Sequence, residues 1–304
     1  MAVSVRRCSS DAEKARSLAI YNTVLPRRAV TAEEVRNFER AMLDSAEFLA
    51  SLDGADVGSA AAGIAPSQPD ACLMLVTVLP ERRRRSAGTA LYAEVSRWAA
   101  EHGLDVIETR AEADDDESLA YARRRGFEEQ WRETGFELDV ATAAVPAAAP
   151  GNVEIVSLAQ RPELEPAVYD VAVEALPDVY GGDWRPPPRD RWLETHVRGP
   201  GTSPETVLLA LAHGDVIGYA KLNLKHEGRT AEHGMTGVKR AWRGRGVART
   251  LKLAQIAWAK EHGLEKLTAT NELRNEPIVR LNESLGYRRT VGRVGLRGPL
   301  SAAI

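Results

Sequence analysis

The residues best placed to do chemistry lie in a glycine- and arginine-rich stretch, TGVKRAWRGRGVA, over residues 236–248. Arginine and glycine alternate over residues 243–246, after a predicted strand end at Val238 and before an amphipathic segment that runs to about His262. The two glycines let a ligand approach the backbone, because glycine has no Cβ. N–H groups at a helix start have no intrahelical partner and lie at the positive end of the helix dipole. The stretch therefore predicts a site for a phosphorylated ligand.

Other polar residues flank this stretch on both sides. Glu232 and His233 precede it, on what we expect to be the central strand. Asn275 and Asn282 lie seven residues apart and so share one face of a predicted helix. Asn271 lies at a predicted strand end, where it could serve only as a turn former. Amides both donate and accept hydrogen bonds, so these three side chains are candidates for binding an extended polar ligand.

Two common phosphate-binding loops do not fit the stretch. The sequence has no G-x-x-x-x-G-K-[ST] pattern, which excludes a Walker A loop. The Gly244-Arg-Gly246 run continues to Arg249, where a dinucleotide fingerprint needs Gly or Ala, and no early strand precedes it. On the stretch alone, a solvated turn at a helix start is the alternative.

A longer pattern narrows the interpretation. Arg243, Gly246 and Ala248 form R-x-x-G-x-A between a strand and a long helix, and residues 282–287 read N-x-x-L-G-Y. This order resembles the GCN5-related N-acetyltransferase (GNAT) family. The resemblance implies that the loop holds the pyrophosphate of acetyl-CoA, the co-substrate, and that amides contact its pantetheine arm. The implied binding residues are Val238, Lys239, Arg240, Arg243, Gly244, Arg245, Gly246, Val247, Ala248, Asn271, Asn275 and Asn282.

The chain contains an internal repeat with an offset of 160 residues (258 − 98). Trp98 recurs as Trp258, the segment 101–104 as 261–264, and Gly126-Phe127 as Gly286-Tyr287. So long a period indicates a duplicated domain. Residues 141–151 are rich in Ala and Pro and predict a semi-rigid linker. We expect two tandem GNAT domains of the α+β class, each with a mixed sheet, at 1–140 and 152–304.

Composition sets limits on the function. Hydrophobic residues make up 44% and charged residues 27% of the 304, as in globular proteins. The net charge of −3 gives no general attraction to nucleic acid or to a membrane, and no segment resembles a membrane span or signal peptide. Cys8 and Cys72 form no disulfide framework and have no metal-ligand spacing. We expect a cytoplasmic protein without a metal site, either a monomer or a homodimer.

The two copies of the phosphate loop differ. The first copy has Ser86 where the second has Gly246, and a Cβ there would crowd a pyrophosphate. It also has three aspartates, residues 114–116, in place of residues 274–276, and their negative charge disfavours a CoA chain. We therefore predict that the second copy binds acetyl-CoA and that the first is degenerate.

The resemblance also implies catalytic roles. Glu232 is the first choice for the general base, because strict alternation would place it on one face with Gly234, Thr236 and Val238. His233 is the second choice, and a solvated turn is the alternative for both. A backbone N–H near Val238 would stabilise the oxyanion. Many family members have a tyrosine at the position of Asn282, and that tyrosine protonates the leaving thiolate. The sequence therefore does not identify the group that would protonate the thiolate here.

These observations predict an acetyl-CoA-dependent N-acetyltransferase that acts by direct attack of a small-molecule primary amine in a ternary complex. The missing tyrosine leaves a non-catalytic CoA-binding or sensor protein as an alternative. An additional loop in the second copy, residues 178–188, carries Tyr180 and Trp184. These aromatic residues fit an acceptor pocket or a domain interface equally well.

Overall fold

The computed structural model describes residues 3–144, 153–177, 186–199, 201–225 and 229–302. The chain forms two compact units: unit 1 comprises Met1–Arg132 and Arg293–Ile304, and unit 2 comprises Glu133–Gly292. These bounds differ from the predicted 1–140 and 152–304, because the last strand of the chain belongs to the sheet of unit 1. Of the predicted linker, only residues 141–144 are described.

The elements of unit 1 follow the predicted order. They are β1 (Val3–Arg7), α1 (Asp11–Val24), α2 (Ala32–Ala41), β2 (Asp44–Leu52), β3 (Ala55–Ala65), β4 (Gln68–Val78), α3 (Ala87–Glu101), β5 (Val106–Glu112), α4 (Asp116–Arg123) and the start of β6 (Glu128–Asp139), joined by β13 (Arg293–Pro299). The sheet order is β1-β2-β3-β4-β5-β13-β6. Strand β6 runs without a break from Glu128 to Asp139, and β13 pairs with β5 on one side and with β6 on the other.

Unit 2 contains the corresponding elements. They are the rest of β6, β7 (Glu154–Ser157), α5 (Glu165–Ala175), α6 (Arg189–His196), β8 (Val207–Ala212), β9 (Asp215–Lys225), β10 (Thr230–Val238), α7 (Val247–Glu261), β11 (Lys266–Glu272), α8 (Glu276–Ser284) and β12 (Arg288–Thr290). The sheet order is β7-β8-β9-β10-β11-β6, and β12 also pairs with β6.

Apolar side chains cover both faces of the sheet in unit 2. One face packs on α7 through residues such as Leu251 and Ile256, which are fully buried. The opposite face packs on α5 and α6, where Val171 and Trp192 are buried. The central strand β10 therefore lies between two helical layers and presents one set of side chains to each.

Local sequence signals account for several helix boundaries. Thr31 and Glu34 form a capping box at the start of α2, in which each side chain accepts the other residue's backbone N–H. Gly103 and Gly263, at the ends of α3 and α7, both adopt positive φ angles, as expected of helix-terminating glycines. None of the described helices is long and apolar enough to cross a membrane.

Candidate active site

The glycine- and arginine-rich turn joins β10 to α7, and α7 begins at Val247, as predicted. Gly244 and Gly246 have φ angles of 70° and 81°, and a Cβ on either would meet no atom within 4 Å. These glycines are therefore needed for backbone conformation and leave open space above the turn. The first helical hydrogen bond runs from the Thr250 N–H to the Gly246 oxygen, at 2.9 Å. The N–H groups of residues 247–249 consequently have no acceptor within α7.

Side chains around the turn hold its shape. The Arg243 Nε donates to the Val238 carbonyl oxygen at 3.1 Å, so this guanidinium folds back onto the end of β10. The Arg245 guanidinium lies 5.1 Å from the ring centre of Trp242. A carboxylate oxygen of Glu174 on α5 accepts the backbone N–H of Arg240. These contacts hold the shape of the turn, whose arginine side chains Arg240, Arg243 and Arg245 are exposed.

The equivalent turn in unit 1 has the same backbone but different chemistry. Arg84 and Ser86 adopt φ angles of 62° and 68°, a conformation that side chains with a Cβ rarely adopt. Glu117 lies beside this turn, with its carboxylate 3.0 Å from Arg83 and 3.8 Å from Arg84. A carboxylate in this place neutralises the cations and repels phosphate groups. Of the predicted aspartates, Asp115 instead caps α4 by accepting the Ser118 N–H at 3.0 Å.

Strand β10 carries a bulge at a place where β4 of unit 1 has none. Its pairing with β9 shifts register between His233 and Thr236, whereas β4 pairs regularly with β3 over Leu73–Val78. The extra residue breaks the alternation of side chains. Gly234 faces the α5 and α6 side, whereas Val238 packs with the α7 side, so the prediction that both share a face with Glu232 is wrong.

The same strand separates from its parallel neighbour. β10 pairs with β11 only from Thr230 to Glu232, opposite Lys266–Thr268, and the two strands then diverge. We call the resulting gap the split. The Lys239 N–H bonds to Ile217 on β9 at 2.9 Å. Since N–H groups alternate between the two edges of a strand, the Val238 N–H points to the other edge, toward the split.

Charged and polar groups gather on the α5 and α6 side of β10. Glu232 lies opposite Asn223 on β9, whose Oδ1 accepts from Thr202 at 3.1 Å. The Lys221 ammonium donates to the His196 carbonyl oxygen at 2.6 Å. Burial lowers the pKa of Lys221 to about 8, although the charge of Glu232 acts in the opposite direction. A carboxylate and an easily deprotonated amine thus lie on one face, next to the split.

A second polar group lies on the α7 side of the split. His233 is only 8% exposed, so the solvated turn considered for it is wrong. Its Nδ1 donates to Gln255 Oε1 at 2.9 Å, and its Nε2 accepts from the Tyr287 hydroxyl. The Lys252 ammonium lies 5.5 Å from the ring centre of Tyr287. We call His233, Lys252, Gln255 and Tyr287 the buried polar cluster.

The three predicted asparagines lie where β11 ends and α8 begins. Asn282 on α8 is fully buried and donates to Asn271 Oδ1 at 2.7 Å. Asn275 is the residue preceding α8, and its side chain caps no helix N–H. The structure thus brings Asn271 and Asn282 together at the split. No group of three or more His, Cys, Asp or Glu side chains within the described ranges could hold a metal ion.

A family model supports the interpretation of this geometry. The sequence model of the acetyltransferase (GNAT) family matches this chain twice, over residues 18–127 and over residues 166–287. The chain belongs to the GNAT acetyltransferase family. The two matched regions confirm a tandem arrangement, and the predicted mixed-sheet fold is likewise confirmed.

Relatives of this GNAT protein agree with that assignment. A mycothiol acetyltransferase from Nocardiopsis dassonvillei is 28% identical over 268 residues, covering 79% of this chain and 77% of the relative. A tandem GNAT protein from the clavulanic acid biosynthesis pathway has a TM-score of 0.77 at 19% identity, over 99% of both chains. A GCN5-related N-acetyltransferase from Sphaerobacter thermophilus has a TM-score of 0.78 at 18% identity, over 99% of this chain and 97% of that one. Together with the family model, these matches support an N-acetyltransferase.

Sequence reasoning missed several polar residues that the GNAT fold brings to the split. Lys221, Lys252 and Gln255 lie within apolar runs, which gave no sign of a polar site. Comparison of the two copies could have identified two of them, since Lys252 and Gln255 align with Tyr92 and Val95 at the offset of 160. The aromatic residues Tyr180 and Trp184 lie outside the described residues.

Proposed function

We propose that unit 2 binds acetyl-CoA and transfers the acetyl group to the primary amine of a small molecule, by direct attack in a ternary complex. The observation that carries this proposal is the coincidence, in unit 2, of the glycine turn, the bulge and the split. In unit 1, β4 and β5 also separate after Leu73, but β4 pairs with β3 without a shift over Leu73–Val78, and a carboxylate pairs with the arginine side chains of the turn. A relative that is a mycothiol acetyltransferase supports a small-molecule acceptor.

The turn would hold the pyrophosphate. Its binding groups are the backbone N–H groups of residues 244–248, with positive charge from Lys239, Arg240 and Arg245. Arg243 stabilises the turn, since its Nε is bonded to Val238. From there the pantetheine arm would follow the split toward Asn271, Asn275 and Asn282, whose amides can both donate and accept hydrogen bonds.

The acceptor amine would approach from the α5 and α6 side, where Glu232 lies. Glu232 would take a proton from the attacking amine, directly or through one water molecule. The Val238 N–H would stabilise negative charge on the thioester oxygen in the transition state. Holding both reactants in this orientation would supply a large share of the rate enhancement.

A non-catalytic CoA-binding or sensor protein remains the second candidate. The observation that favours it is Asn282, whose amide cannot protonate a leaving thiolate. The two candidates differ in one measurement, the release of CoA from acetyl-CoA in the presence of a panel of primary amines. Tight binding of acetyl-CoA without release with any amine would favour the second candidate.

The assignment of unit 2 is tested in the full-length chain by isothermal titration of acetyl-CoA. Gly246→Ser introduces the residue that unit 1 has at the same position and with the same backbone conformation. We expect one acetyl-CoA site per chain and at least a tenfold loss of affinity in Gly246→Ser. Ser86→Gly, the matched control, should leave the affinity unchanged. If only Ser86→Gly alters binding, unit 1 holds the cofactor site and the proposal is wrong.

A further inference from the structure

The buried polar cluster is unusual because its members lie inside the core of unit 2. Lys252 is 2% exposed and Gln255 is fully buried. Among the residues that the structure describes, no acidic side chain offsets the burial of the Lys252 ammonium. Burial lowers its pKa to about 7. A charge in this position destabilises the fold unless something pairs with it.

The repeat shows that the fold does not require these polar residues. In unit 1 the positions of Lys252, Gln255 and Tyr287 hold Tyr92, Val95 and Phe127, all buried in one apolar cluster. Tyr92 and Phe127 pack with ring centres 5.8 Å apart, where unit 2 has the Lys252–Tyr287 contact.

The positions of His233 and Asn282 are also occupied by apolar residues in unit 1. Ala231 pairs with Leu267 as Cys72 pairs with Ile107, so the bulge makes Met74 the spatial equivalent of His233. Met74 is buried, and Ala122, the equivalent of Asn282, is also buried. An apolar core is thus sufficient for this architecture, and the polar residues of unit 2 need a functional explanation.

The polar groups point to a ligand. Gln255 Nε2 and Asn282 Oδ1 are buried without a hydrogen-bond partner within the described part of the chain. Buried polar atoms seldom lack partners unless a ligand or water molecule supplies them. The Tyr287 N–H donates to the Asn282 carbonyl oxygen at 3.1 Å, which links Asn282 to the residue beneath Lys252. The unpartnered atoms therefore belong to one region of the core.

This region lies along the proposed path of the cofactor. His233 is the first residue of β10 beyond its last pair with β11. Lys252 lies five residues into α7, about 8 Å along the helix from the anion-binding end. An ammonium group with no acidic partner therefore lies near the residue at which the split begins.

We propose that Lys252 receives the sulfur of CoA: its ammonium pairs with the thiolate that leaves the acetyl group and transfers a proton to it. This inference rests on the proposed function of unit 2. When the tetrahedral intermediate collapses, the C–S bond breaks and its electron pair remains on sulfur. The thiolate then takes a proton from the Lys252 ammonium, which leaves a neutral thiol and a neutral amine. Glu232 then releases to solvent the proton that it took from the acceptor, and Lys252 takes up a proton from solvent, which restores both groups.

The other titratable groups that face Lys252 cannot perform this step. His233 on β10 is neutral because burial and the nearby lysine charge lower its pKa well below 6.5. Its one N–H proton is engaged by Gln255. Burial raises the pKa of Tyr287, and its hydroxyl donates to His233. Asn282 on α8 has no acidic proton. Lys252 is thus the one proton donor of suitable acidity in this group.

The experiment uses CoA and desulfo-CoA, which lacks the thiol, so it needs no knowledge of the acceptor. At pH 6.5 a free thiol is almost entirely protonated, since its pKa is near ~8.5. At this pH the sulfur of CoA arrives as a thiol, and the two compounds differ only in the group that Lys252 would contact. Titration calorimetry should show at least tenfold tighter binding of CoA than of desulfo-CoA.

The variants isolate the role of the ammonium. Lys252→Met should bind CoA and desulfo-CoA equally, while Lys260→Met, on the same helix, should prefer CoA as the wild type does. Equal affinity of the wild-type chain for CoA and desulfo-CoA would overturn the inference even if a variant fails to fold. Failure of the wild-type chain to bind either compound would instead overturn the proposed function.

Discussion

The side-chain carbons Cγ and Cε of Lys221 lie 2.7 Å from where a Cβ on Gly234 would be. The bulge places Gly234 beneath this lysine, and the missing side chain leaves room for the stem of Lys221 to cross β10. The position of the ammonium, between the end of α6 and the charge of Glu232, therefore depends on glycine at 234.

This dependence can be tested with Gly234→Ala. We expect the new methyl group to displace Lys221 and to lower the rate of amine acetylation about tenfold, with acetyl-CoA affinity unchanged, because the acceptor side alone is disturbed. Lys221→Ala removes the obstructing stem, so adding Gly234→Ala to it should have no further effect on the rate. A double-mutant cycle measures this coupling. Additive effects of the two changes would contradict the steric explanation.

The bulge also shows where sequence reasoning succeeded and where it failed. The position of the glycine turn and the start of α7 were predicted correctly because glycine and helix-start signals are local. The alternation argument for Glu232 and Val238 failed because one inserted residue reverses every face beyond it. The domain boundaries failed for a different reason. Strand β13 pairs with β5, nearly two hundred residues earlier, and no local signal specifies that pairing.

Buried polar residues were harder still to anticipate. His233 resembled a turn residue because it follows a polar loop, yet a tertiary contact with Gln255 on α7 makes its burial acceptable. Comparison of the repeats reveals such residues, since a polar side chain that aligns with an apolar core position has to be explained.

Ser86 provides a test of backbone strain in unit 1. Its φ of 68° lies in the left-handed region, where a residue with a Cβ is disfavoured by about 1 kcal/mol. We expect Ser86→Gly to raise the free energy of unfolding by about 0.5–1 kcal/mol, since glycine removes that strain but gains entropy in the unfolded chain. Urea denaturation measures the change. The reverse exchange, Gly246→Ser, should cost a similar amount, and a stabilising Gly246→Ser would be inconsistent with this explanation.

The buried polar cluster predicts how stability depends on pH. The pKa of Lys252 is about 7 in the folded chain and near 10.5 when unfolded. Between these values the unfolded chain binds the extra proton, so stability rises with pH. His233 acts in the same direction below pH 6.5, since its folded pKa is depressed and stability is lost as the pH falls.

The contribution of Lys252 can be isolated by comparison with Lys252→Met. One proton difference corresponds to about 1.4 kcal/mol per pH unit, so the wild type should gain about 2–3 kcal/mol relative to Lys252→Met between pH 7.5 and 9.5. Denaturation at each pH provides the measurement, and Lys260→Met serves as the control with no such change. Parallel stability curves for the wild type and Lys252→Met would show that this lysine is not buried as described.

The last prediction concerns the general base. Glu232 and Lys221 both lie on the acceptor side, and either a carboxylate or a neutral amine could remove a proton from the attacking amine. Glu232→Gln keeps the shape of the side chain but removes its basicity. We expect it to lower the turnover number by about 10²–10⁴-fold, with acetyl-CoA affinity unchanged. Lys221→Met should lower the turnover number far less, because the ammonium mainly positions groups around the acceptor.

The matched control is Glu265→Gln, since Glu265 is an exposed carboxylate that pairs with Arg229. The opposite result, in which Lys221→Met abolishes turnover and Glu232→Gln retains it, would make the lysine the base. Turnover with the most active amine of the panel, followed as CoA release from pH 6 to 9, distinguishes the two assignments.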